Sequence, residues 1–312
     1  MSKFNLSFKP PYDWQRIIRF YETHPIPGIE RVTASTFERV VRIGDSISFF
    51  RVRPRVKQSL LEVNVMTENA KIVPEIKRRV ARMFDLNCDP CSIARSFTRV
   101  PLLARLYKRF PGLRLPGGWD PFETAVCSIL GQVVSREQRT NLVAQLVRAY
   151  GDEIAHPLFG EKAYLFPRPE VLAQSDLLEV KTTGARRGAI RDLSSRVVSG
   201  AISIAEEQDP EEFRKALLGI KGVGPWSAEY ISLRAIGDKD VFPKTDLILK
   251  RVLERYPDFD LEKIQPWRSY AAIYLWTAFA ESLSKKKRSN SHDTVLQRND
   301  IACGQAQIGR KL

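Results

Sequence analysis

Asp246 is the acid whose surroundings most suggest chemistry. It follows a glycine-rich turn, LLGIKGVGPWSAEY, in which Gly222 and Gly224 flank Val223 and Pro225 stands where a helix would begin. Glycine accepts positive φ and lets a backbone approach a ligand closely. Proline at a first helical position forfeits no needed hydrogen bond. The stretch therefore reads as helix, tight turn, helix, with free amides at an N-terminus suited to a phosphate. Asp246 lies 22 residues beyond Gly224, just before the run LILKRVLERY. A phosphate grip followed by one carboxylate points to chemistry on nucleic acid. The plain alternative is that Thr245-Asp246 only caps the next helix. The two roles are compatible, because a helix N-terminus favours the anion.

Charge supports a polyanionic partner. The 312 residues carry a formal net charge of +14, and 43% are hydrophobic, as in an ordinary globular protein. Residues 284–312 hold seven Lys/Arg and two Asp/Glu, so +9 remains on the rest. A basic body favours DNA or RNA over a membrane surface. No apolar run approaches the ~20 residues that span a bilayer, and the N-terminus has no apolar signal core. The expected location is cytoplasmic, with the nucleoid in a bacterium, or nuclear in a eukaryote. Cys88 and Cys91 have C-x-x-C spacing without a second pair, and His24, His156 and His292 are scattered. A structural zinc site wants four ligands, so reduced thiols are expected for these and for Cys127 and Cys303.

The elements that must position these residues fall into two patterns. Up to residue 88, strand-like segments around 4–9, 40–43, 47–52 and 61–65 accompany helical spacing at Asp13–Tyr21 and Ile72–Phe84. Alternation marks a half-buried strand, and a period near 3.6 marks a helix. This is an α+β domain. From residue 89 to 283 the pattern is almost wholly helical. Helices are expected near 92–109, 121–130, 135–150, 169–174, 176–181, 186–200, 210–218, 225–236, 246–255 and 267–282, with Pro and Gly between them. Residues 284–312, including Lys285–Arg288, form a basic tail with few large apolar residues, expected to be disordered.

Several ordered segments together carry a resemblance. PPYDW, FDLNCDP, GLRLPG before Trp119, SILGQVVS, FPRPEVLA, the hairpin, DVF…DLILKR and PWRSYAAIYLW span the chain to about residue 283. With them, the sequence resembles the helix-hairpin-helix DNA glycosylases, most closely the 3-methyladenine DNA glycosylase II branch. The fold class expected is a small N-terminal antiparallel sheet-plus-helix domain followed by a helical helix-hairpin-helix core. That core would consist of two helical subdomains with a cleft between them.

The resemblance implies roles residue by residue. Asp246 matches the essential carboxylate, which would stabilise positive charge developing at C1′ and orient or deprotonate water. Phe20, Trp226, Tyr230 and Trp276 fall at or near a base pocket, where electron-rich rings favour a cationic base. Core packing is their alternative. Gln132 and Val133 match a tip that fills the gap left by an extruded base, where the family commonly has leucine at the second position; helix packing is the alternative. Lys221, Gly222, Val223 and Gly224 form the phosphate-binding hairpin. Carbonyls of Leu218, Ile220 and Val223 match positions that hold a structural monovalent cation, and no cofactor is required. Arg268 either orients neighbouring groups or is simply exposed at a helix start.

Trp226 occupies the place where bifunctional relatives carry the Schiff-base lysine, so base removal without lyase chemistry is expected. The iron–sulfur branch fits poorly, because only Cys303 follows the hairpin region. The expected function is excision of alkylated, 3-methyladenine-like purines from double-stranded DNA by base flipping, performed by a monomer. Two alternatives stand: a glycosylase for oxidised or deaminated bases on the same scaffold, and a non-catalytic helix-hairpin-helix DNA-binding protein.

Overall fold

Short β-rich runs near the N-terminus pair into one sheet. The computed structural model describes residues 2–155, 162–205 and 207–283. The sheet contains β1 (Ser2–Ser7), β2 (Glu30–Thr33), β3 (Thr36–Ile43), β4 (Ser46–Arg55) and β5 (Leu60–Thr67), ordered β1-β5-β4-β3-β2 and antiparallel throughout. Helix α1 (Trp14–Thr23) begins at Asp13, whose carboxylate accepts the Arg16 amide at 3.0 Å. Together with α2 (Val73–Met83), it covers one sheet face. Ile17, Ile18, Tyr21, Ile76, Val80 and Met83 pack there against Phe37, Phe50, Val52, Leu61, Val63 and Val65.

Helices dominate beyond this sheet: α3 (Pro90–Phe97), α4 (Pro101–Arg109), α5 (Pro121–Leu130), α6 (Arg136–Tyr150), α7 (Pro169–Gln174), α8 (Gly184–Val198), α9 (Pro210–Leu218), α10 (Pro225–Ala235), α11 (Leu247–Arg255) and α12 (268–283). Six of these start on proline, whose fixed φ suits a first turn. The helix expected over 92–109 is divided by Pro101, which opens α4. No helix forms at 176–181, which is turn and bend. A hairpin of β6 (Asp152–Ala155) and β7 (Lys162–Leu165) interrupts the helical part. Its Ala163 and Leu165 bury against Val40 and Phe49 on the sheet's other face. The tail with Lys285–Arg288, and also His156, His292 and Cys303, lies outside the described residues.

Two helical cores meet along α10. One gathers α5, α6, α8 and α9 with Ile231; the other gathers α3, α4 and α12 with Leu233 and Leu249. The helical part is also tied to the sheet by a buried ionic group. Arg39 on β3 pairs with Glu30 and with Glu123 of α5, all nearly inaccessible. Burial pushes the Glu123 carboxyl up to about 7, opposed by the Arg39 charge. Between about 4.5 and 7 the folded protein therefore holds a proton that the unfolded chain has released. This group's contribution to stability declines as pH rises through that window. Arg39→Met would strand two buried carboxylates and is expected to cost about 3–5 kcal/mol, read from the urea unfolding midpoint. An unchanged midpoint would show that the network does not join the domains energetically.

Candidate active site

Residues four apart on a helix share a face, and on α10 that face carries Trp226, Tyr230 and Arg234. Asp246 closes the loop after α10 and caps α11. Its Oδ1 accepts the amides of Ile248 and Leu249 at 3.0 and 3.1 Å. The same oxygen accepts Trp276 Nε1 from α12 at 3.1 Å, and Oδ2 accepts Trp226 Nε1 at 3.0 Å. Four donors from three helices thus orient one carboxylate. Asp246 is half-buried and lines a cleft of about 1110 Å3.

The four expected pocket aromatics all line this cleft. Tyr230 stacks on Trp226 with centroids 5.1 Å apart and planes 7° from parallel, and it meets Trp276 at 6.3 Å. Phe20 comes from α1, so the sheet domain supplies one wall. His24 stacks on Phe20 at 4.6 Å, with its Nδ1 2.9 Å from the Phe20 carbonyl. A carbonyl only accepts, so Nδ1 carries the proton in that pair. Burial pushes this imidazole down to about 3, and it stays neutral at physiological pH.

The hairpin is the turn between α9 and α10. Gly222 has φ of +96°, a conformation that a side chain disfavours, and Gly224 caps α10 in extended conformation. Lys221, Gly222 and Gly224 are exposed, while Val223 is buried. Arg196 of α8 braces the turn by donating to the Gly219 carbonyl at 2.9 Å. Gln132 and Val133 occupy the turn between α5 and α6. The Gln132 amide is not free: Nε2 donates to the Gly222 carbonyl at 3.1 Å and to Ser227 Oγ at 2.8 Å. Arg186 donates to its backbone carbonyl. Val133, in contrast, is fully exposed with φ of +51°. A β-branched residue in the left-handed region is strained, and such strain clusters where a surface is kept for a ligand.

Other expectations resolve structurally. Arg268 forks onto Asp240 at 2.9 and 2.8 Å, which anchors the start of α12. Cys88 is buried and its thiol is pushed up to about 12 by desolvation, while Cys91 is exposed. Among the described residues no cluster of His, Cys, Asp and Glu could hold a metal ion. The same residues contain no helix long and apolar enough to cross a membrane. Sequence reasoning missed Arg234, although it continues the four-residue spacing of Trp226 and Tyr230. It missed His24 because the Phe20 stack depends on the last turn of α1.

Comparison with known proteins is consistent with this geometry. Residues 3–120 match the family described as AlkA N-terminal domain, which runs past the sheet and through α4. The chain is 31% identical over 284 residues to DNA-3-methyladenine glycosylase 2 of Escherichia coli K12, covering 88% of this chain and 96% of that protein. The chain belongs to the DNA-3-methyladenine glycosylase 2 family. Members of this family need no cofactor. A DNA-3-methyladenine glycosylase of Bacillus subtilis is 30% identical, with 70% and 82% of the two chains covered. Among solved structures, a 3-methyladenine DNA-glycosylase from Archaeoglobus fulgidus superposes with TM-score 0.70 at 21% identity, covering 88% and 97%. An 8-oxoguanine glycosylase/lyase of Clostridium acetobutylicum in complex with double-stranded DNA gives 0.61 at 18%, covering 81% and 98%. At those identities the likeness establishes the helix-hairpin-helix glycosylase fold alone.

Within this family fold, the strain at Val133 is directly measurable. Val133→Gly is expected to raise stability by about 1 kcal/mol, because glycine relieves the left-handed cost. Chemical denaturation checks it, and a destabilised variant would show that the left-handed conformation at Val133 stores no such strain.

Proposed function

We propose that this chain is a monofunctional DNA glycosylase, acting as a monomer, that hydrolyses the N-glycosidic bond of alkylated purines such as 3-methyladenine in duplex DNA. An abasic site for base excision repair remains. The observation that carries this reading is the Asp246 carboxylate, fixed by two indoles and a helix N-terminus beside an aromatic cleft. Relatives named 3-methyladenine glycosylases support the substrate class.

In this mechanism the hairpin of Lys221, Gly222, Val223 and Gly224 presents amides and a cation to a backbone phosphate. Val133 enters the stack as the damaged nucleotide leaves it, a role suited to an exposed apolar side chain. Gln132 holds that tip to the hairpin while the DNA is gripped. The flipped base stacks among Trp226, Tyr230, Trp276 and Phe20. As the C1′–N bond breaks, its electron pair stays with the base and positive charge develops on the sugar. Asp246 lowers the energy of that charge and orients the water that adds to C1′. Trp226 offers no amine, so no Schiff base forms.

A monovalent cation at the hairpin would rest on the carbonyls of Leu218, Ile220 and Val223 and meet a DNA phosphate. The Ile220 carbonyl already accepts the Val223 amide at 3.0 Å, which leaves it one lone pair for such an ion. This ion would serve in binding, and no step of hydrolysis needs it.

The test uses duplexes with a single 3-methyladenine or 7-methylguanine, with abasic sites scored after alkali. Wild type is expected to release these bases and Asp246→Asn to lose at least about 100-fold in single-turnover rate, in line with removal of a preorganised charge. Full activity in the variant would defeat the assignment of Asp246. Borohydride is expected to trap no covalent complex; a trapped one would contradict the monofunctional mechanism. Binding should also weaken steeply with salt, by about 0.9 log unit per log salt for each neutralised phosphate. A flat response would argue against phosphate-led docking.

A further inference from the structure

Arg234 is a buried cation without a carboxylate partner. It is 6% exposed, on the cleft-facing side of α10. Its Cζ lies 4.4 Å from the Phe20 ring centroid and 5.4 Å from that of Tyr230. Nη1 donates to the Pro116 carbonyl at 2.8 Å, while Nε is buried with no hydrogen-bond partner. Among the described residues no acid pairs with Arg234. The acids lining the same cleft are engaged elsewhere: Glu30 and Glu123 by Arg39, Glu281 by Arg109, and Asp246 by the two indoles. Glu22, also on the lining, is exposed. Leaving a charge buried and unpaired is costly, and an unsatisfied buried donor calls for an explanation. Helix packing alone does not supply one, since an apolar residue would fill the space between two rings without that cost.

Resting on the glycosylase reading above, we propose that Arg234 is the base-side counterpart of Asp246, a cation that favours departure of uncharged purines. The two charges lie on different parts of one cleft wall, Asp246 toward the sugar and Arg234 between two rings that take the base. When an uncharged purine leaves, the C1′–N9 electron pair makes the base an anion until it takes a proton from solvent. Water supplies the new C1′–O bond and gives up its proton. A guanidinium at the base lowers the energy of that anion as it forms. A cationic alkylpurine is repelled by the guanidinium while bound and relieved of that repulsion as it leaves neutral, so measured from free substrate the guanidinium gives it no net help. Phe20 and Tyr230 already face this internal cation, so Trp226 and Trp276 are left as the rings for a charged base. The cleft thus has separate provisions for charged and uncharged leaving groups.

The experiment compares single-turnover excision of hypoxanthine, uncharged, with that of 7-methylguanine, cationic, at protein well below saturation, which reads kcat/KM and so the barrier from free substrate. In Arg234→Met the hypoxanthine rate is expected to fall at least ten-fold more than the 7-methylguanine rate. Arg234→Lys, which keeps the charge, should hold the ratio within about three-fold of wild type. Equal losses for both bases, or no loss in Arg234→Met, would overturn the proposal and leave Arg234 a packing residue. A measurement on wild type serves even where the Met variant does not fold. Its kcat/KM relative to spontaneous loss should be at least ten-fold greater for hypoxanthine than for 7-methylguanine, and an equal or reversed order overturns the proposal. A wild type that excises neither base defeats the glycosylase reading itself.

Discussion

The Asp246 carboxylate accepts hydrogen bonds from three helices, and its orientation depends on their convergence. Two donors are amides of α11, one is an indole of α10 and one an indole of α12. Preorganised donors cost no reorganisation when charge develops nearby. They also tie α10, which contributes Ile231 to one core and Leu233 to the other, to α11 and α12. The cleft lies where these cores and α1 of the sheet domain meet. An acid at a simple helix cap would be aimed only by its own helix.

Costs concentrate around this cleft. Val133 is strained and exposed, Arg234 is buried and unpaired, and Glu30 and Glu123 share one buried arginine. Most of the rest of the chain follows local rules, with prolines opening helices and carboxylates or hydroxyls capping them, although Ser59, Asp85 and Leu177 also take positive φ. Locally costly choices next to consistent packing are expected where function constrains the sequence. The link between Gln132 and Gly222 joins the turn between α5 and α6 to the hairpin, the two parts proposed above as flipping tip and phosphate grip.

The antiparallel sheet, most of the helices and the hairpin were legible because hydrophobic period and Pro/Gly positions act locally. The Asp246 cap was legible for the same reason. Its indole partners were not: Trp226 and Trp276 are 50 residues apart in sequence, and no period connects them. The aromatic pocket therefore required the family resemblance as well as residue types. The β6/β7 hairpin escaped notice because its strands have four residues each and gain their burial from distant residues such as Val40 and Phe49. The helix expected at 176–181 failed because its apolar residues turn into a core from a loop: Leu177 is buried at φ of +60° and Val180 beside it. Arg234 has the right spacing, but nothing in a charged residue's type signals that it is buried. Only burial reveals it.

The most direct test of the central claim measures affinity for a duplex carrying a pyrrolidine abasic analogue, which places a positive charge where the sugar develops one. Its uncharged tetrahydrofuran counterpart is the control. A site complementary to the transition state binds the charged analogue more tightly. Wild type is expected to prefer the pyrrolidine duplex by at least about 100-fold, and Asp246→Asn to lose most of that preference while binding the control normally. An equal preference in both proteins would contradict the account.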